Sequence, residues 1–347
     1  MKRTNPFQKL GLALIACSLV THTACALVTI DSVPVGNAGN AADPATGYGA
    51  VGYDYGIGKY EVTLNQYTVF LNAVAPTDTY GLYNTQMGLD ANSMGIASSG
   101  NSGSYSYSVI GSGNRPVTYV SWFDSARFVN WLHNGQPVGL QAAGTTETGA
   151  YTLNGALSGV ALSRNAYANY GLPSEDEWFK AAYHQPTDQG GEVDGYWNYP
   201  TAENIVPRSR NANASDSYSA NIFKTDGIAN AFNNGYAVTG LLVYSPGQQY
   251  LTDVGAHALA DSYYGTFDQA GNVNEWNDSI TESNRGLRGS SWKDSDVQTS
   301  RYESTNLDPD SESSDLGFRV VLLTPVPEPS VVGLIGLGML LVMRKRK

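Results

Sequence analysis

Cysteine is nearly absent. The only two, Cys17 and Cys25, lie within the first 26 residues, so the rest of the chain offers no disulfide, no thiolate ligand and no cysteine nucleophile. Charge is scarce as well, at 15% of residues, and basic charge most of all. Seven of the 20 Lys+Arg sit at the extremes (Lys2, Arg3, Lys9 and Arg344 to Lys347), leaving 13 against 31 Asp+Glu, a balance near −18. That sign excludes nucleic acid as a natural partner, because its phosphates would be repelled. It suits metal cations, neutral glycans or basic partners, and by itself keeps a protein soluble. The four histidines, His22, His133, His184 and His257, are scattered and form no His-Glu-x-x-His zinc pattern.

The two ends carry the clearest signals. Lys2, Arg3 and Lys9 form a basic region, Leu10 to Val20 an apolar core, and Ala24-Cys25-Ala26 a cleavage site of the A-x-A type. Residues 1–26 are therefore expected to be a secretory signal peptide, whose removal takes both cysteines with it. Leu14-Ile15-Ala16-Cys17 also resembles a lipobox, so lipoprotein processing stays open. At the other end, Pro327-Glu328-Pro329 leads into an apolar run, Val331 to Met343, and then Arg344-Lys345-Arg346-Lys347. The run is about 13 residues, short of the ~20 that comfortably span a bilayer, and the basic cluster would stay cytoplasmic. A plain C-terminal anchor would look similar. Tripeptide, apolar segment and basic tail in this order resemble the PEP-CTERM sorting signal. That resemblance implies, for residues 324–347, a short transmembrane segment, transient inner-membrane anchoring, and processing by an exosortase at Pro327, Glu328 and Pro329. The destination would be the cell surface or extracellular matrix.

Over the whole chain, 38 Gly and 23 Tyr with little charge point to a loop-rich fold of short elements. Leu27 to Val35 is expected to hold a first strand, and Gly47 to Val62 a strand or hairpin. Thr63, Ser121 and Ser174 are expected helix N-caps. After them, Tyr67, Phe70, Leu71 and Val74, then Phe123, Ala126, Arg127, Asn130 and Trp131, then Trp178, Ala181 and Ala182 recur at helical spacing. Residues 78–115 read as a long surface excursion, and residues 190–250 as loops. No tandem repeat or interior linker divides residues 27–323.

Six short motifs occur in a specific order: Gly58-Lys59-Tyr60-Glu61-Val62-Thr63; Arg115 to Trp122 with Ala126-Arg127-Phe128; Leu172 to Trp178; Gly265 to Trp276; Arg288-Gly289-Ser290-Ser291-Trp292; and Asp315-Leu316-Gly317-Phe318-Arg319. The series resembles the formylglycine-generating enzyme family, also called sulfatase-modifying factors, over residues 45–322. The resemblance implies one α+β domain with a C-type-lectin-like core and much irregular structure. It also implies a chemistry. Family oxidases bind copper with two cysteines just after the Gly-Ser-Trp-like motif, and those positions fall here on Asp294 and Thr299. Ser291 and Arg301 remain, but soft Cu(I) selects sulfur, so copper is not expected and oxidase activity is expected to be lost. The resemblance further implies a Ca²⁺ loop at Asp268, Gly271, Val273 and Glu275; carboxylates and main-chain oxygens suit this hard cation. Glu275 paired with a basic neighbour, and Asp268 capping a turn, is the plainer alternative. A second family calcium site would begin at Asn221 or Asn230, a choice the sequence leaves open.

The expected function is an exported, exosortase-sorted, non-catalytic module binding a glycan or surface protein. Its expected partners are exosortase and the secretion machinery, with extracellular polysaccharide or a surface protein as candidate ligands. An oxidoreductase with another metal, through Asp294 and a histidine, is one rival. A variable ligand-binding receptor, varying between Trp292 and Leu316, is another. Asp308, Asp310, Glu312 and Asp315 are expected to be a solvated acidic loop, and the motif tryptophans core.

Overall fold

The computed structural model describes residues 27–212, 216–228 and 233–323. The expected signal peptide, the sorting segment and Asn230 lie outside the described residues.

All three expected helices form, and for the expected reason. Helix α1 (Leu64–Val74), helix α3 (Trp122–His133) and helix α4 (Glu175–Tyr183) each begin with a reciprocal capping box. In these the hydroxyls of Thr63, Ser121 and Ser174 accept from the N3 amide, while Gln66, Asp124 and Glu177 reach back to the cap's own N–H. Helix α1 buries Tyr67, Phe70, Leu71 and Val74. These pack on α3 through a cluster of rings, with Phe70 centred 5.3 Å from both Phe128 and Trp131 and Phe128 5.4 Å from Phe318. The two edge-to-face pairs among these, Phe70 with Phe128 and Phe128 with Phe318, add about 0.5–1.5 kcal/mol each beyond area burial.

Residues 78–115 differ from the expectation of a surface excursion. They hold a short helix α2 (Gln86–Leu89) and a hairpin, Ile96–Ser99 with Ser106–Val109. Leu82, Met87, Ile96 and Tyr107 are buried in the main core. The Gly, Ser and Asn content that reads as loop serves the turns, while sparse apolar residues anchor the segment to α1; Tyr107 even donates its hydroxyl to the Ala75 carbonyl, 2.9 Å.

One four-stranded sheet orders Ser32–Val35, Tyr55–Gly58, Val321–Leu322 and Tyr170–Gly171, every neighbouring pair antiparallel. The start and end of the domain thus close on each other. The second sheet orders Thr305–Leu307, Asn284–Arg288, Asn274–Thr281 and Leu316–Gly317. Its long strand places Glu275 opposite Arg288 and beside Gly317. The chain is therefore α+β with short strands and few helices. Trp122, Trp131, Trp178, Trp276 and Trp292 are all core. Among the described residues no helix is long and apolar enough to cross a membrane.

Candidate functional site

The segment from Gly265 to Trp276 turns through four left-handed residues, Gly265 (φ 83°), Asp268 (φ 60°), Gly271 (φ 94°) and Asn272 (φ 65°), before entering the strand at Asn274. Gly271 is required sterically: a Cβ there would sit 2.5 Å from the Asn221 carbonyl. The turn brings Asp268 and Glu275 into one buried, charged cluster with Arg319. Glu275, fully buried, accepts from Arg319 Nε (2.5 Å), Arg319 Nη2 (2.6 Å) and Trp178 Nε1 (2.8 Å). Arg319 also donates to the carbonyls of Gly58 and Phe267, fixing the cluster between the two sheets. Asp268 accepts from the Gly255 amide at 2.5 Å. Burial pushes its carboxyl up to about 6, against the pull of that amide and Arg319.

Sequence reading missed the third acid. Glu61 is 2% exposed, and neither of its carboxylate oxygens has a hydrogen-bond partner among the described residues. Burial holds it well above the usual carboxylate range, and Asp268 reinforces the effect. Three carboxyl groups therefore face one guanidinium. If all ionise, an excess of two negative charges lies out of water, an arrangement that calls for protons or a cation. Glu61 stood inside the Gly58–Thr63 motif, but only its tertiary neighbours mark it. Among the described residues no three His, Cys, Asp or Glu side chains converge closely enough to hold an ion by themselves. An ion here would need main-chain oxygens such as those of Gly271 and Val273.

The positions matching the copper cysteines have their own partners. Asp294 Oδ2 accepts from Ser291 Oγ (2.7 Å) and Asn274 Nδ2 (2.6 Å). Thr299, fully buried at the end of a 3₁₀ turn, donates its hydroxyl to the Asp296 carbonyl, 2.6 Å. Arg301 points elsewhere, donating to Asp194 (2.9 Å) and the Tyr196 carbonyl (2.8 Å). No group of three metal-competent side chains includes Asp294 among the described residues. This donor set does not fit copper: it supplies two hard oxygens already hydrogen-bonded and no sulfur.

Other sequence candidates disperse. His133 accepts from the Asn169 amide, His184 meets Tyr264, and His257 meets Ser219. The acidic stretch near residue 310 is only partly solvated: Glu312 accepts from Asn84, and Asp315 pairs with Lys293 at 2.7 Å. Asn221 donates to the Tyr250 carbonyl and to Asn272.

Comparison with known proteins agrees with this frame. The Sulfatase-modifying factor enzyme 1-like domain matches residues 28–323, and the PEP-CTERM protein-sorting motif matches residues 325–347. The fold is similar to that of CarF, at 20% identity over 85% of this chain and 98% of that one, with a TM-score of 0.45. Variable protein 1 of Treponema denticola matches at 18% identity over 86% and 96%, TM-score 0.43. PvdO from Pseudomonas aeruginosa matches at 15% over 84% and 91%, TM-score 0.37. No curated protein matches the sequence. The sorting motif marks an exported, surface-directed protein whose tail is a substrate for exosortase processing. With its family match spanning almost everything between the two ends, the chain belongs to the sulfatase-modifying factor (formylglycine-generating enzyme-like) family.

Proposed function

We propose that this protein is a non-catalytic binding module on a formylglycine-generating-enzyme-like, lectin-like scaffold, anchored transiently at the inner membrane and then released to the surface or matrix. One observation carries the reading: the two copper-ligand positions hold Asp294 and Thr299, each hydrogen-bonded within the fold. The Ser291 hydroxyl is tied to Asp294 by a 2.7 Å hydrogen bond. Calcium serves as a structural ion. Asp268 and the carbonyls of Gly271 and Val273 would hold it, with Glu275, which is shared with Arg319. The orphaned Glu61 carboxylate supports the assignment, since hard oxygen donors and excess negative charge suit Ca²⁺.

The test is direct. Purified protein incubated with a sulfatase-type cysteine peptide, oxygen and Cu(I) should yield no aldehyde by hydrazide capture. Aldehyde formed over multiple turnovers would overturn the non-catalytic reading.

A further inference from the structure

A cleft of about 460 Å³ opens where the start of α1 meets the loop at Asn114 and the loop through Asp253 and Val254. That is within the roughly 300–1,000 Å³ typical of ligand pockets. The two loops are tied together, the Val254 amide donating to the Asn114 carbonyl at 2.9 Å. Tyr60 forms one wall, and its place depends on Gly255: a Cβ there would lie 2.5 Å from the ring. Phe267 backs the same ring at 5.6 Å, with the Lys59 ammonium near both rings, outside the cleft lining.

Thr63 and Gln66 are committed to the α1 capping box, but part of the polar lining is unspent. The exposed carboxylates of Asp31 and Asp253 have no hydrogen-bond or ion-pair partner among the described residues. The Asn114 side chain makes a single long contact, accepting from Asn65 Nδ2 at 3.5 Å, which leaves its own amide hydrogens available. Among the described residues no Lys, Arg or His lines the cleft. The wall therefore offers acceptors in carboxylates, donors in amides, and apolar surface in Tyr60 and Val254. A sugar matches this set, since its hydroxyls donate and accept while its C–H faces need apolar contact. A uronate or sulfated sugar does not, because Asp31 and Asp253 would repel it.

We propose that this cleft binds an uncharged glycan; the inference rests on the reading of the domain as a binding module and names its site and ligand class. Calorimetric titration of the processed, purified protein would use cellohexaose, mannohexaose and dextran as neutral probes, with hexagalacturonate and spermine as charged ones. At least one neutral probe should bind, and hexagalacturonate should bind more weakly. Asp31→Ala with Asp253→Ala, both at exposed positions, should weaken the neutral ligand by about tenfold or more, the usual effect of losing hydrogen bonds to charged groups. Gly255→Ala should also weaken it by displacing the Tyr60 ring. Unchanged affinity in the double variant places the glycan elsewhere, which overturns this site and leaves the binding-module reading intact. Absence of binding by every neutral probe, or tighter binding of spermine or hexagalacturonate, also overturns the assignment; aldehyde production by the same preparation would instead remove the reading beneath it.

Discussion

At the scale of single residues, Arg319 is the counter-charge on which the acid cluster depends. Both it and Glu275 are fully buried, and their pairing is two-pronged. Removing one member of such a pair strands the other in low dielectric. Arg319→Met should therefore cost about 3–5 kcal/mol, measured as a lower urea midpoint at unchanged slope; a loss below about 1 kcal/mol would mean that the acids are already neutral. Asp124 provides a second test. Burial, reinforced by Glu312, raises its carboxyl from 3.8 to about 7, despite the opposing Ser121 hydrogen bonds and Arg127. The folded state therefore holds this proton more tightly than the unfolded chain does. Its stabilising contribution is complete below pH about 4, and is lost as pH climbs through about 7. Asp278, raised by burial to about 6 against the pull of Arg285 and Arg164, acts in the same direction. Asp124→Asn keeps an acceptor for Ser121 and should flatten the fall in melting temperature between pH about 4 and about 7. An unchanged profile would assign that slope to other groups.

At the scale of elements, α4 shows how a cap becomes a tertiary joint. Ser174 accepts from the Glu177 amide at 3.1 Å, while Glu177 accepts from the Ser174 amide at 2.7 Å. The same Glu177 carboxylate binds Arg164 through both oxygens and accepts from the Tyr53 hydroxyl at 2.6 Å. Ser174→Ala removes only the cap and should cost about 1 kcal/mol. Glu177→Gln also leaves Arg164 without its counter-charge, and should cost about 3 kcal/mol or more. Chemical unfolding of the two variants side by side checks the order; equal losses would mean that the Arg164 pairing contributes nothing.

At the scale of the whole molecule, calcium should couple to folding through Glu61, Asp268 and Glu275. A ligand that binds only the native state adds about 2.7 kcal/mol at a hundredfold its Kd. Chelator should lower the melting temperature, and millimolar calcium should restore it. Glu61→Gln gives a sharper, two-signed outcome. The variant loses no hydrogen bond, because the Glu61 side chain makes none among the described residues, and it removes the cost of protonating a buried carboxyl on folding, so at neutral pH without calcium it should melt higher than the parent. With calcium it should gain less. A melting curve indifferent to both chelator and the substitution would leave the cluster as an arrangement kept neutral by protons.

What the sequence determined by itself was local or linear. Caps at Thr63, Ser121 and Ser174 were legible because capping needs only a hydroxyl and a residue three positions on. The family was legible because its motifs keep their order, and the sorting signal because it is read as a string. The expectation that copper chemistry is lost rests on the absence of a side-chain type, the cysteine. What only tertiary structure decided were the encounters between distant segments. Glu61 meets Asp268 and Arg319 from the far end of the chain, and Asp31 and Asp253 come to line one cleft. Residues 78–115 pack as core because four well-placed apolar side chains outweigh a loop-like composition. Electrostatics between buried groups depends on separation in space and on excluded water, and a linear pattern encodes neither until the chain has folded.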